Sequence, residues 1–156
     1  MPKVKKLAHV VLAVKDARKS MEWYQDVLGM EPMGYLEGIN MGFLSFGEQH
    51  HDLALMNAPE GAALGSASGA HVAFVLEGGM DELKTTYARL KAKGVKVDGG
   101  HDFGFLNGFY FYDPDGNRLE LFYDSVSLDE ARSVLRKSAS TFKRLDLNRE
   151  GVGDRV

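Results

Sequence analysis

The 156-residue sequence contains no cysteine. This absence excludes disulfides, thiolate catalysis, iron–sulfur clusters and cysteine-ligated zinc, so any bound metal must be held by His, Asp or Glu. An excess of charge of one sign is also missing, because 19 Lys and Arg residues stand against 22 Asp and Glu residues, a formal net charge of −3. A chain without a basic field is not expected to bind nucleic acid.

Long hydrophobic runs are missing too, since no segment approaches the roughly 18 apolar residues of a membrane span. The basic start at residues 1–6 and the apolar run at 7–14 imitate a short signal peptide, but the run passes directly into Lys15 and Asp16. We therefore expect a cytoplasmic protein without membrane association. With 44% hydrophobic and 26% charged residues, the chain has the composition of one soluble globular domain.

A weak internal repeat organises the chain. Each copy begins with an apolar run, at residues 7–14 and 70–76, that suits a strand covered on both faces. A helix with one apolar face follows and stops at Gly29 in the first copy and at Gly94 in the second. Three strand-like runs complete each copy, at 33–37, 42–46 and 52–56 and then at 95–98, 108–112 and 118–123.

This pattern predicts an α+β fold of two βαβββ modules that form one domain over residues 1–126. A capping box at residues 127–130 and a following apolar stripe predict a C-terminal helical tail over 127–147, packed on the domain or on a partner subunit. We expect residues 148–156 to be frayed. The modules span about residues 5–57 and 70–124, and the linker between them is 58–69, rich in Ala, Gly, Ser and Pro.

Two histidines, His9 and His71, occupy matched places in the apolar runs that open the two copies, and Glu120 lies inside the last apolar run. Buried polar groups need partners, and a shared metal would provide one. The alternatives are ordinary satisfied core histidines and a structural ion pair between Arg118 and Glu120. Two His and one carboxylate are the ligand set of non-haem Fe(II) sites that keep open coordination positions.

The two-copy pattern resembles the vicinal oxygen chelate superfamily, which includes glyoxalases, bleomycin resistance proteins and dioxygenases. The resemblance covers about residues 5–124 and is carried by residues 9–16, 23–30 and 110–120. Within this superfamily the sequence is most similar to type I extradiol ring-cleaving dioxygenases with a single paired module. The resemblance implies metal ligands at His9, His71 and Glu120, and catalytic residues at His51, His101 and Tyr110.

This resemblance implies cleavage of a catechol ring with O2, with Fe(II) as the cofactor and Mn(II) as an ion that suits the same ligands. Phe103, Phe105 and Phe109 are either core residues or the wall of the aromatic substrate pocket. Many extradiol enzymes of this type have two paired units, whereas this chain has one, so we expect the tail helix or a second subunit to close the site. By analogy, we expect a dimer or a higher homo-oligomer.

Ala54 separates the alternatives within the superfamily. Aligning residues 52–56 with 118–122 matches Ala54 with Glu120, and glyoxalase I places a fourth, carboxylate ligand at that first-copy position. Because Ala54 cannot coordinate, one face of the metal would stay open for substrate and O2. The alternatives are a metal-dependent glyoxalase-like lyase or isomerase that needs no O2, and a metal-free protein that binds a small molecule such as an antibiotic.

Overall fold

The computed structural model describes residues 1–137 and 142–148. The chain divides into two compact units, one formed by Met1–Ser68 with Asp113–Asn117 and the other by Gly69–Tyr112 with Arg118–Val156. Each unit carries one mixed sheet with a parallel pair and antiparallel neighbours. The prediction of an α+β fold with two βαβββ modules is confirmed. No helix among the described residues is both long and apolar enough to cross a membrane.

The first unit is built around helix α1. The carboxylate of Asp16 accepts the backbone N–H groups of Arg18 and Lys19 at 3.1 and 3.2 Å and so caps the start of the helix. Gly29 ends it with a positive φ of 71°, as the sequence predicts. The sheet order is β1-β4-β3-β2. The elements are β1 (Val10–Val14), α1 (Ala17–Leu28), β2 (Glu31–Leu36), a 3₁₀ turn (Glu37–Ile39), β3 (Met41–Ser45) and β4 (Leu53–Asn57).

The second unit repeats this plan and adds a C-terminal helix and strand, with the sheet order β5-β8-β7-β6-β9. Helix α2 buries Leu83, Tyr87 and Leu90, the face that the apolar period predicts. The elements are β5 (Val72–Val75), α2 (Met80–Ala92), β6 (Val97–Asp102), β7 (Leu106–Tyr112), β8 (Arg118–Asp124), α3 (Leu128–Arg136) and β9 (Lys143–Leu145).

The strands that open the two modules differ from their prediction. They begin at Val10 and Val72, so His9 and His71 stand immediately before the strands rather than inside them. The expectation that both faces are covered is wrong, because Val11 is 44% exposed and Val75 is 66% exposed. Alternate residues of a strand point to opposite faces, and here one face of each strand faces solvent. Both histidines are therefore exposed residues rather than buried ones.

The C-terminal tail is helical over a shorter stretch than the sequence predicts. The capping box at Ser127 is confirmed, with its N–H donating to the Glu130 carboxylate at 2.9 Å. Helix α3 ends at Arg136, and the segment Lys143–Leu145, predicted as helix, is a strand that pairs antiparallel with β6. The apolar stripe in the sequence cannot distinguish a helix from a strand here. The strand is stabilised by hydrogen bonds to β6, which is distant in the chain. Residues 138–141 and 149–156, including nearly all of the predicted frayed end, lie outside the described residues.

The turn between β7 and β8 belongs to the first unit and centres on a buried carboxylate. Asp113 is 5% exposed and accepts backbone N–H groups from Asp115 and Asn117 at 3.0 and 2.8 Å. Its second oxygen accepts the Asn117 side-chain amide at 2.8 Å and the Tyr24 hydroxyl at 3.0 Å. Burial and the neighbouring Asp113 charge raise the pKa of Tyr24 well above its ordinary value, so the phenol remains a donor.

Replacing Tyr24 tests this turn. We expect Tyr24→Phe to lower the free energy of unfolding by about 1.5–3 kcal/mol, because the buried carboxylate loses a hydrogen bond to a charged acceptor. Urea unfolding followed by circular dichroism measures the change. Tyr35→Phe is the matched control, since that hydroxyl lies 3.5 Å from Asn40 at an exposed place. Equal losses in the two variants would show that the Asp113 contact adds nothing.

Candidate functional site

The candidate site lies on the face of the second sheet that is opposite to helix α2. Side chains alternate along β7, so Phe109 packs against Tyr87 of α2, at 5.1 Å between ring centroids, while Tyr110 points the other way. Tyr110 stands opposite Glu120 in the neighbouring strand. His101 stands opposite Gly108, and Gly108 shares a face with Tyr110. Strand pairing thus gathers Tyr110, Glu120 and His101 on one face.

Glu120 is bound between two imidazoles. It is 5% exposed, its Oε1 lies 2.7 Å from Nε2 of His101, and its Oε2 lies 2.9 Å from Nε2 of His71. His101 is itself 1% exposed. A carboxylate this buried is stable only when both oxygens have partners, and the two histidines supply them. Of the three residues, His71 alone is exposed.

His71 and Glu120 form a donor pair that fits a divalent metal. Nδ1 of His71 lies 2.9 Å from the Gly69 carbonyl oxygen, to which it donates, and this leaves the lone pair of Nε2 directed at the carboxylate. Two lone pairs at that separation need a cation between them, either a proton or a metal. Two donors about 2.1 Å from a metal and about 90° apart are separated by about 3 Å, close to the distance found here.

The second ring nitrogen of a metal-binding histidine usually donates to a carbonyl or carboxylate, and the Gly69 contact of His71 is of that kind. Across residues 1–137 and 142–148, no group of three or more His, Asp and Glu side chains is arranged to hold a metal ion. The second unit therefore supplies two donors, His71 and Glu120. His101 does not serve as a third donor, because its Nε2 is already hydrogen-bonded to Oε1 of Glu120.

Tyr110 is held as a neutral phenol at the site. The Tyr110 ring stacks on His101 at 4.5 Å between centroids. The guanidinium carbon of Arg118, a residue of β8, lies 3.6 Å from the centre of the Tyr110 ring. Burial raises the pKa of Tyr110 above its ordinary value, and the Glu120 charge raises it further, while Arg118 opposes the shift. The hydroxyl therefore keeps its proton at neutral pH and can donate a hydrogen bond to an anionic oxygen.

Gly108 makes room for His101, a role that the sequence analysis missed. A Cβ atom at this position would lie 3.0 Å from Nε2 of His101 and 2.6 Å from the carbonyl oxygen of Leu121. Any side chain at Gly108 would displace the imidazole that supports Glu120. A glycine inside a strand is a sequence signal for such a close approach.

Of the three phenylalanines predicted as core or pocket wall, two lie near the candidate site and one lies in the core. Phe103 lies 5.0 Å from His101 and 6.3 Å from Phe105, measured between ring centroids, so these two are near the site. Phe109 is fully buried beneath α2 and is a core residue that does not reach this face. Phe142, from the segment read as helix, packs on Phe103 at 5.5 Å and was not foreseen.

A cluster of histidines marks the first unit. The rings of His9 and His51 are 4.5 Å apart between centroids, and Nδ1 of His51 lies 2.5 Å from Nδ1 of His50. Desolvation lowers the pKa of His51, electrostatic interaction with His50 and His9 lowers it further, and Asp52 opposes the shift. His51 is therefore neutral at pH 7 and can accept a proton.

Strand register places Ala54 and Glu120 at equivalent points of their units. In the first unit, Val11 follows His9 by two residues and pairs with Ala54. In the second unit, Ala73 follows His71 by two residues and pairs with Glu120. The first unit therefore has a methyl group where the second has its carboxylate, as the alignment of the two copies predicts.

Comparison with known proteins places the chain in a family. The sequence profile of the Glyoxalase/Bleomycin resistance protein/Dioxygenase superfamily matches residues 6–121, and the chain belongs to this superfamily. Biphenyl-2,3-diol 1,2-dioxygenase 2 of Rhodococcus globerulus is 34% identical over 134 residues, which cover 83% of this chain and 69% of the relative. Biphenyl-2,3-diol 1,2-dioxygenase 3 of the same organism is 33% identical over 132 residues, which cover 80% of this chain and 66% of that relative.

Solved structures share the fold. A variant of the fosfomycin resistance protein FosX of Listeria monocytogenes, solved in complex with Mn(II), superposes with a TM-score of 0.68. The alignment covers 84% of this chain and 99% of that chain at 22% identity. A likeness at this level of identity establishes the architecture and carries no activity across.

Replacing His101 tests its support of Glu120. We expect His101→Phe to weaken Mn(II) binding about 10- to 100-fold, because the Glu120 carboxylate loses the donor that orients it toward His71. Electron paramagnetic resonance of free Mn(II) during titration measures the affinity, and circular dichroism checks folding. Tyr35→Phe, which removes an exposed hydroxyl 3.5 Å from Asn40, is the control. A folded His101→Phe variant with wild-type affinity would contradict the supporting role.

Proposed function

We propose that this protein is a metal-dependent dioxygenase that opens the ring of a catechol with O2 and uses Fe(II). The observation that carries the proposal is the His71–Glu120 pair, with its Nε2 lone pair directed at a buried carboxylate oxygen 2.9 Å away. The relatives named biphenyl-2,3-diol 1,2-dioxygenase support the substrate class, a small aromatic diol. Ala54, in place of a carboxylate, supports an ion with open positions for two reactants.

The proposed ligands are His71 and Glu120, and the superfamily resemblance assigns a third to His9. Fe(II) held by these residues, or Mn(II) in its place, would supply charge that lowers the pKa of the catechol hydroxyls and would bring catechol and O2 together. The overall reaction consumes one catechol and one O2. One ring C–C bond breaks beside a hydroxyl, and both oxygen atoms of O2 enter the ring-opened product.

Side chains of the protein would transfer protons and orient the bound diol and the Glu120 carboxylate. Tyr110, kept protonated by its raised pKa, donates a hydrogen bond to the anionic oxygen of the bound diol. The superfamily resemblance assigns the role of acid to His51, which would take a proton from the diol at a ring nitrogen and return it as the ring opens. His101 holds the Glu120 carboxylate in place through Oε1, so its contribution is positioning.

Oxygen uptake tests the activity directly. After anaerobic loading with Fe(II), we expect air and a panel of catechols to produce O2 consumption together with a yellow ring-opened product, in a one-to-one ratio with catechol. An oxygen electrode and an absorbance spectrum record the two signals. Bound metal without O2 uptake would favour a lyase or isomerase, and a protein that binds no metal would favour a metal-free binding role.

A second variant tests the proton-transfer role of His51. We expect His51→Gln to retain its metal and lower kcat at least about 100-fold, because general acid–base catalysis commonly contributes that much. Steady-state O2 uptake and metal analysis provide the two readouts. Lys15→Gln, at an exposed residue of the same unit, is the control and is expected to keep most of its activity. Full activity in His51→Gln would refute the role.

A further inference from the structure

A cleft opens beside His101 and Tyr110 on the second unit. It has a volume of 350 Å³, which is near the lower end of the roughly 300–1,000 Å³ of small-molecule sites. The C-terminal segment forms one of its walls, because β9 pairs with β6 and places Arg144 opposite His101. The lining residues are Asp98, Gly99, His101, Tyr110, Arg118, Phe142 and Arg144.

The cleft has an excess of positive charge. Two guanidinium groups line it, from Arg118 and Arg144, against one carboxylate, that of Asp98. Asp98 accepts the Tyr112 hydroxyl at 2.9 Å, so part of its hydrogen-bonding capacity is already used. Glu120, which lies on the same face of the sheet, is buried and engaged by two histidines. An anionic group in the cleft would therefore meet more positive than negative charge.

One residue that lines the cleft, His101, has a buried polar atom. Nδ1 of His101 has no hydrogen-bond partner among the described residues, although the side chain is 1% exposed. Because Nε2 of His101 is bonded to Glu120, Nδ1 is the ring atom left for a further hydrogen bond. A charged cleft beside an unsatisfied buried atom is typical of a polar binding site.

We propose that the substrate is a single-ring catechol with a carboxylate substituent, and that Arg144 binds this carboxylate in the cleft. The inference rests on the proposed function and narrows its substrate class. Planar guanidinium groups bind carboxylates through paired hydrogen bonds, which makes Arg the side chain suited to this recognition. The aromatic rings of Phe142 and Tyr110 provide apolar contact for the substrate ring.

The two arginines have different surroundings, and only one suits a mutational test. Arg118 lies over the ring of Tyr110 at 3.6 Å, so replacing it would also disturb a proposed catalytic residue. Arg144 is exposed on the edge strand β9. The test therefore uses Arg144.

Binding of matched ligands tests the inference. Isothermal titration calorimetry compares 3,4-dihydroxybenzoate with its neutral isostere 3,4-dihydroxybenzamide, and 2,3-dihydroxybenzoate with its amide, on the full chain with and without Fe(II) under anaerobic conditions. We expect wild-type protein to bind the acid of at least one pair about tenfold more tightly than the amide. Arg144→Gln should reduce that preference to about twofold or less and leave amide binding unchanged, and Arg144→Lys should keep part of it.

Arg132→Gln is the matched control, because Arg132 lies on α3, pairs with Asp129 at 2.9 Å and is absent from the cleft lining. The inference is overturned if wild-type protein shows no preference for either acid, or if the preference survives Arg144→Gln. O2 uptake with the same ligands separates this result from the proposed function. Turnover of neutral catechols without an acid preference refutes only the inference. Acid-selective binding that depends on Arg144 but gives no turnover refutes only the dioxygenase proposal.

Discussion

The second unit depends on one interaction, the buried carboxylate of Glu120 held between the imidazoles of His101 and His71. A carboxylate in an apolar strand is tolerated only with partners for both oxygens, and the sheet is arranged to provide them. β6 brings His101, the start of β5 brings His71, and the absence of a side chain at Gly108 leaves space for the first of these rings. The same constraint directs one oxygen of Glu120 toward an exposed histidine, where a metal can reach it.

The division of the second sheet into two faces explains why neighbouring residues have unrelated tasks. Phe109 and Tyr110 are adjacent in β7, yet Phe109 stabilises the core beneath α2 and Tyr110 faces the candidate site. On the site face, Tyr110 stacks on His101, and burial together with the Glu120 charge raises the pKa of Tyr110. The short strand β9 extends this face and adds a basic residue to it.

Membership of the superfamily narrows the function less than the site does, because one fold hosts different chemistries. The chain spans about two thirds of the length of the two Rhodococcus globerulus dioxygenases that it matches. Local features of the site support metal binding: the tautomer of His71 set by Gly69, the partners of Glu120, and the methyl group of Ala54 at the equivalent point of the other unit. These features concern donor chemistry and would hold whatever the sequence of the relatives.

The sequence by itself determined the repeated βαβββ order, the ends of α1 at Asp16 and Gly29, and the matched places of Ala54 and Glu120. Each follows from apolar periodicity or capping, which act between residues close in the chain. Tertiary structure alone decided that His101 supports Glu120, that Phe109 is core, and that the segment with Arg144 is an edge strand. Those outcomes depend on which strands pair and which face a helix covers, and such contacts between distant residues leave no local pattern in the chain.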